Sequence, residues 1–415
     1  GTKERNDKMT IIKAGLDIGN GYVKGVLVGD NGTSTVDIPS GVSLMTRKNQ
    51  LPTPDDQAKE TLEDVFNVLD VSFMTPLVPD AFRRLFGERA LTSGGSFQEF
   101  DVIGSQSKAQ QPLSKILVLG IIAGKVLKDY VGINGALPDD NTVLSADVYC
   151  GLALPITEYI QYRESYINAF KNGVHTVTVC NFETPVTVKL TFKAVEVIAE
   201  GASAQYAIGA KGEPLAKLML ADVRKHGMAL EGITPQDILQ VKDTIGVDIG
   251  EGTVNFPVFT NGRFNADASM TLDKGYGSVL MNALESMQEQ GFNGGFSSRK
   301  QLASYLQKEP SPLKRNHYNN VKRFVDVEID TFAYEVAEKL GHVLNRVGAS
   351  TEVIYVYGGG AGQVKEQLYP ELFKKVQDIL GVEEFAVLYL DSKYSRHLNR
   401  EGLFIVATKL ADRAK

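Results

Sequence analysis

The sequence predicts an α/β fold made of two duplicated domains, and three observations lead there. A chain of 415 residues exceeds what one ordinary hydrophobic core serves. Two stretches far apart echo each other: "GLDIGNGYVKGVLV" at 15–28 and "GVDIGEGTVNFPVF" at 246–259. Both read apolar-Asp-Ile-Gly-x-Gly followed by a returning strand, the mark of a duplicated domain rather than of a short repeat array. Around these echoes, strand-like apolar runs alternate with segments of helical periodicity.

Taken in order, Ile11 onward reads strand, turn, strand, with Asn31-Gly32 as a hairpin turn. Residues 47–112 hold Pro52, Pro54, Pro76, Pro79 and "LTSGGS", and read as an irregular inserted subdomain. Ser114–Val131 has apolar residues at helical spacing. A strand over Asp147–Leu154 and a helix over Glu158–Asn172 follow, then β-rich runs at Thr176–Phe182 and Pro185–Val197. The second echo ends the strand Thr244–Ile249, and Gly275–Gln290 is helical in period. Residues 291–318, rich in Gly, Ser, Pro and Lys, read as surface loop, and Val321–Val347 as a long helix closed by Gly348. "EVIYVYGGGAG" leads into a helix at about 363–380, and "REGLFIVATKLAD" forms a last packing element. The expected division is 1–199 (insert about 47–112), 200–385 (insert about 285–335), and a C-terminal element, 386–415, returning to the first domain.

Net charge is −6, which offers no general attraction for nucleic acid or an anionic membrane. No apolar run approaches the ~20 residues that cross a bilayer. The polar opening Gly1–Lys8 has no signal-peptide character, so a cytoplasmic location is expected. Cys150 and Cys180 sit in apolar runs and read as buried thiols of a reducing compartment rather than a disulfide.

The Asp-Gly hairpins carry the chemistry. Backbone N–H groups in a tight Gly-rich turn form a concave anion site. Glycine serves there by allowing positive φ and by letting a phosphate approach. Gly19, Asn20 and Gly21 fill this role in the first hairpin, and Gly250, Glu251, Gly252 and Thr253 in the second. Lys24 adds a point charge for phosphate. An aspartate beside a phosphate is repulsive unless a cation intervenes. Mg²⁺ binds nucleotide phosphates with few protein carboxylates and several waters, which assigns Asp17 and Asp248 to the metal. "YVYGGGAGQV" at 355–364 brings a third backbone approach through Gly359, Gly360 and Ala361; taken alone it is equally a tight strand–helix turn. A dinucleotide fingerprint does not fit, because Lys24 replaces its third glycine and a strand follows instead of a helix. No Walker A loop occurs.

In that order and spacing, "DIGNGYVK", "DIGEGT" and "YGGGAG" resemble the two phosphate loops and the adenosine loop of the actin, sugar-kinase and heat-shock-chaperone superfamily. Within it, "VKGVLVGDNGTSTVDIPSGVSLM", "ADVYCGLALPITEYI" and "VEVIAEGASAQYAI" resemble the ParM/StbA-like plasmid-segregating actins. The resemblance implies an actin-like α/β fold, two duplicated ribonuclease-H-like domains around a nucleotide cleft. It puts Glu200 where that group orients the attacking water, and Gly275 where backbone nears the sugar. Glu158 is a rival by charge that reads as a helix cap. Glu251 departs from the Gly, Ser or Asn usual at its place and is expected to point outward; Asn255 stands where many relatives carry an acid. The five histidines show no metal-ligand spacing.

The resemblance further implies a bacterial cytoskeletal protein that binds ATP or GTP with Mg²⁺, hydrolyses it, and self-assembles into filaments. Plasmid DNA would be reached through a DNA-binding adaptor protein, with no direct nucleic-acid or membrane contact. The alternative is a small-molecule kinase of the same fold, for which no "DxxG" catalytic aspartate is found outside the loops.

Overall fold

A computed structural model describes residues 9–46, 51–101, 106–292, 294–390 and 392–415. The polar opening Gly1–Lys8 lies outside the described residues. Two compact units result: Gly1–Leu154, Glu158–Ala199 and Asn399–Lys415 form the first; Pro155–Thr157 and Glu200–Leu398 form the second.

The first unit is built on one sheet. Its strands are β1 (Thr10–Ile18), β2 (Tyr22–Gly29), β3 (Gly32–Pro39), β4 (Gly41–Leu44), β5 (Asp70–Met74), β6 (Arg84–Phe86), β7 (Phe97–Glu99), β8 (Val143–Leu154), β9 (His175–Val179) and β10 (Val186–Ala199). They pair in the order β3-β2-β1-β8-β10-β9-β5-β6-β4-β7. The centre, β1–β8–β10, is parallel, and the flanks are antiparallel. Parallel strands are covered on both faces, and here both covers are helical. The helix Pro112–Asn134 is buried along most of its length. Pro112 starts it, and Gly135 in the left-handed region (φ 77°) ends it. The helix Leu398–Arg413 lies close against β1 and β8. A Cβ on Gly15 would stand 2.2 Å from the Phe404 amide nitrogen, and one on Gly151 2.4 Å from the Leu403 carbonyl. Gly15 and Gly151 are register neighbours, so a glycine pair cuts the seat for this helix.

Segment 47–112 is only partly irregular where it is described. Its strands β5, β6 and β7 continue the main sheet, and "DVSFM" buries Val71 and Phe73 there.

In the second unit, β11 (Thr244–Ile249) is buried throughout. It pairs antiparallel with β12 (Val254–Phe256) and β13 (Val258–Thr260). The short β14 (Arg263–Phe264) and β15 (Met270–Leu272) extend that side. On its other side β11 is parallel to β16 (Val353–Tyr357), which is parallel to β17 (Ala386–Tyr389). Residues 386–398 therefore belong to the second unit, and the C-terminal element begins at Asn399. Helices Tyr276–Glu289, Arg315–Val347 and Ala361–Leu380 pack together beside this sheet. The expected surface loop over 291–318 instead holds a helix, Arg299–Leu306, capped by the Ser298 side chain, and the first turn of Arg315–Val347. Gly348 closes that long helix in ordinary right-handed conformation (φ −57°).

Candidate functional site

Each unit carries one Asp-Gly hairpin. In the first, Asp17 near the end of β1 is the register partner of Lys24 in β2. In the second, Asp248 is the partner of Asn255. The Gly19 N–H donates to the Tyr22 carbonyl at 3.0 Å, and the Gly250 N–H to the Thr253 carbonyl at 3.0 Å. A Cβ on Gly19 would meet that carbonyl oxygen at 2.7 Å, and one on Gly250 at 3.0 Å. Gly19, Gly21, Gly250 and Gly252 all lack positive φ. The expectation of left-handed turns is corrected: at Gly19 and Gly250 glycine is needed for clearance across the hairpin, not for backbone handedness.

The first hairpin carries two buried cations. Lys24 is buried, and so is Lys108, whose Nζ donates to the Ile18 carbonyl at 2.7 Å. Lys108 was invisible in the sequence, since it lies in a segment without periodicity. The turn carrying it is fixed on both sides. The Glu158 carboxylate accepts the Ala109 N–H at 3.0 Å, and Lys115 donates to the Ala109 carbonyl. Burial lowers the Lys115 pKa. Glu158, read as a helix cap, thus anchors this turn from the first turn of its own helix.

The second hairpin is a polar hub. Asn255, 1% exposed, donates from Nδ2 to the Glu200 carboxylate at 3.1 Å and to Thr253 Oγ1 at 3.1 Å. Its Oδ1 accepts from the Thr271 hydroxyl at 2.9 Å and from the Ile156 N–H at 3.2 Å. With every polar atom engaged, the amide cannot rotate without breaking bonds in a buried place. Among the described residues, the N–H groups of Glu251, Gly252 and Thr253 have no protein acceptor. Successive donors without a protein acceptor in a tight turn are the backbone feature that an anion site requires.

Glu200 is followed by Gly201 at φ 87°, whose carbonyl accepts the Tyr357 hydroxyl at 2.6 Å. Burial raises that Tyr357 pKa well above its ordinary value, with the Asp248 carboxylate adding to the effect, so the hydroxyl stays a donor. Asp248 is itself buried. A Cβ on Gly358 (φ 108°) would sit 2.5 Å from Asp248 Oδ1 and 2.5 Å from the Ile249 carbonyl. Gly358 was overlooked among the three glycines, although its φ and this contact make it the most constrained of them. Gly360 donates to the Ile249 carbonyl at 2.8 Å; Gly359 keeps some exposure, while Ala361 is fully buried at the start of its helix.

The missing Cβ of Gly275 makes room for the chain itself: a methyl there would meet the Glu251 carbonyl at 2.3 Å. The Tyr276 and Gly277 amides donate to the Gly250 and Glu251 carbonyls at 2.9 and 2.8 Å, docking the loop on the helix start. Glu251 does not point outward. Its side chain is 15% exposed, with Oε2 3.4 Å from Nε of the buried Arg299, because an inward carboxylate needs a counter-charge. Cys150 and Cys180 are both free, the first buried and the second half-buried.

Two hairpins on duplicated parallel-centred sheets, with a Gly-rich turn after β16, define the class of the protein as an actin-like two-domain fold. A model described as "Actin like proteins N terminal domain" matches residues 15–202, and one for "Archaeal actin homologue MreB-like, C-terminal" matches 246–369. Both models describe actin-like domains, so the chain is actin-like by sequence as well as by fold over residues 15–202 and 246–369. Among solved structures, Bacillus thuringiensis ParM with ATP is 15% identical, covering 98% of this chain and 100% of that one (TM-score 0.57). A 15-stranded ParM filament from Clostridium botulinum is 14% identical over 97% and 100% of the two chains (TM-score 0.62). The actin-like protein Alp7A is 14% identical over 97% of each (TM-score 0.62). No curated protein matches the chain by sequence. Among the described residues no helix is long and apolar enough to cross a membrane.

Proposed function

We propose that the chain binds and hydrolyses a nucleoside triphosphate, ATP or GTP, and that hydrolysis times the disassembly of a filament of its own copies. The observation that carries this reading is the run of unpaired amides at 251–253, beside a carboxylate, Glu200, that Asn255 locks in place. In this reading both hairpins act on the phosphates. Asn20 and Gly21 with Lys24 bind at the first, and the 251–253 amides with the Thr253 hydroxyl at the second, charge-assisted bonds being the strong ones. Gly359 and Gly360 border the nucleoside.

The donor set suits Mg²⁺. Among the described residues no group of three or more His, Cys, Asp or Glu forms a protein metal cage. Mg²⁺ on a nucleotide uses one or two carboxylates, with phosphates and water completing its shell. Asp17 and Asp248 would hold it, and when bound it supplies positive charge for the phosphate oxygens. The Glu200 carboxylate accepts a hydrogen bond from water and aims its lone pair at the γ-phosphorus, while the amides meet the developing charge.

On the sequence resemblance to the plasmid-segregating actins, the filament serves plasmid segregation in the cytoplasm, through an adaptor protein that holds the DNA. The test is sedimentation, electron microscopy and phosphate release with Mg²⁺ and ATP, GTP or a non-hydrolysable analogue. Filaments that form with the analogue and dissolve as phosphate appears support the reading. A protein that stays monomeric throughout and phosphorylates a sugar overturns it in favour of a kinase.

A further inference from the structure

We propose that Arg299 is the counter-charge that allows an acidic residue to occupy the second phosphate loop, and so controls how tightly the loop holds a phosphate. Glu251 is one of three residues whose N–H groups face no protein acceptor, so its backbone belongs to the anion nest while its side chain is itself an anion. Unpaired, that carboxylate would repel any phosphate the nest attracts. It is instead turned away from solvent onto Arg299, 3.4 Å off, with exposures of 15% and 4% for the two side chains.

The geometry offers the loop little freedom to adjust. The Gly250 and Glu251 carbonyls are fixed by the Tyr276 and Gly277 amides, and Gly275 and Gly277 are small because those carbonyls press on them. The Glu251 backbone is held in place, and its inward side chain meets its counter-charge in Arg299. Arg299 comes from the first turn of Arg299–Leu306, the helix capped by Ser298, and its guanidinium also lies 3.9 Å from the Met281 sulfur. The pair therefore ties the segment after the helix Tyr276–Glu289 to the phosphate loop.

The inference rests on the nucleotide reading above and makes a charge prediction that a packing role does not. Titration of the full chain with Mg-ATP and Mg-ADP tests it in Arg299→Met, Glu251→Gln and the double variant. Arg299→Met should weaken ATP at least tenfold, about 1.4 kcal/mol, and weaken ADP, with one negative charge fewer, by less. The loss should shrink in high salt. Adding Glu251→Gln to Arg299→Met should recover most of the ATP affinity. Glu251→Gln alone, which removes the negative charge from the loop, should tighten ATP about threefold. This last arm stands even if Arg299→Met does not fold. Equal ATP affinity in Arg299→Met and the parent, an equal loss for ATP and ADP, no recovery in the double variant, or no gain in Glu251→Gln would each overturn the proposal. A parent chain that binds neither nucleotide would remove the nucleotide reading itself, whereas a binding parent with insensitive variants would remove only the role of Arg299.

Discussion

The two Asp-Gly hairpins can be laid side by side, residue for residue. Their backbones agree: aspartate near the strand end, glycine two residues on, and one cross-hairpin bond of 3.0 Å in each. The aspartates match, but two other side chains diverge. Lys24 in the first answers to Asn255 in the second, and Asn20 to Glu251. Beyond the hairpin, the first is supported by the cation Lys108, the second by the carboxylate Glu200 and the pair Glu251–Arg299. The returning strands differ too. β2 runs eight residues unbroken, but Pro257 splits the second into β12 and β13, and its carbonyl still accepts the Gly246 N–H at 2.9 Å. The turn is thus repeated while its surroundings diverge: the first hairpin carries the cations Lys24 and Lys108, and the second a Glu200 carboxylate held by Asn255.

The sharpest way to break this contrast is Glu200→Ala. If the second hairpin alone orients water, phosphate release should fall by about 10²–10⁴, with nucleotide affinity changed only a few-fold. Single-turnover release and equilibrium titration separate the two. Normal release by this variant would leave both hairpins as passive cradles.

Next is Gly358→Ala, which attacks the joint between the second hairpin and β16. The new methyl meets Asp248 Oδ1 and the Ile249 carbonyl at a φ of 108°, so a stability loss of about 2–3 kcal/mol is expected. For a unit of this size that is a fall of roughly 4–12 °C in thermal midpoint. Gly359→Ala, whose position lacks positive φ, should cost far less. Equal costs would show that the Gly-rich turn is loosely built.

Lys24→Met tests the other side. It removes a buried charge from the first hairpin and should weaken triphosphate binding about thirtyfold, or ~2 kcal/mol, leaving the turnover of bound nucleotide nearly intact. A fall in turnover without a fall in affinity would erase the division of labour.

These expectations also mark what the sequence could show. The hairpins were legible because each packs its signal into eight residues: a strand end, an acid, two glycines and a return. The helix Pro112–Asn134 was legible from its period. The strands β5 to β7 were not, because they are three to five residues long and separated by Pro and Gly, and their pairing is set by distant partners such as β9. Glu251 was misread for a related reason. Its environment depends on Arg299, which lies 48 positions later in a stretch whose Gly, Ser and Pro content hid a capped helix. Asn255 was noticed only as a departure from an acid. Besides its neighbour Thr253, its amide joins Glu200, Thr271 and Ile156, and nothing local reveals this, since those three come from separate segments.

Lys108 supplies the smallest and most discriminating effect. The residue is 4% exposed; its ammonium donates to the carbonyl of Ile18 at 2.7 Å and lies 5.7 Å from the Phe100 ring centre. Lys108→Met keeps the volume but leaves that carbonyl without this donor, a loss of about 1 kcal/mol. If Lys108 merely staples the turn at 107–111, the thermal midpoint drops by roughly 2–4 °C and nucleotide affinity follows no charge rule. If it forms part of the electropositive wall of the first hairpin, the variant should lose about fivefold in triphosphate affinity, and more for triphosphate than for diphosphate. The same two-nucleotide comparison applied to Arg299→Met then asks one question of both hairpins. Lys108 adds positive charge directly, whereas Arg299 acts by cancelling Glu251, so Glu251→Gln should rescue Arg299→Met and leave Lys108→Met unrescued. Rescue of both would mean that the hairpins share a single diffuse field rather than two separately built ones.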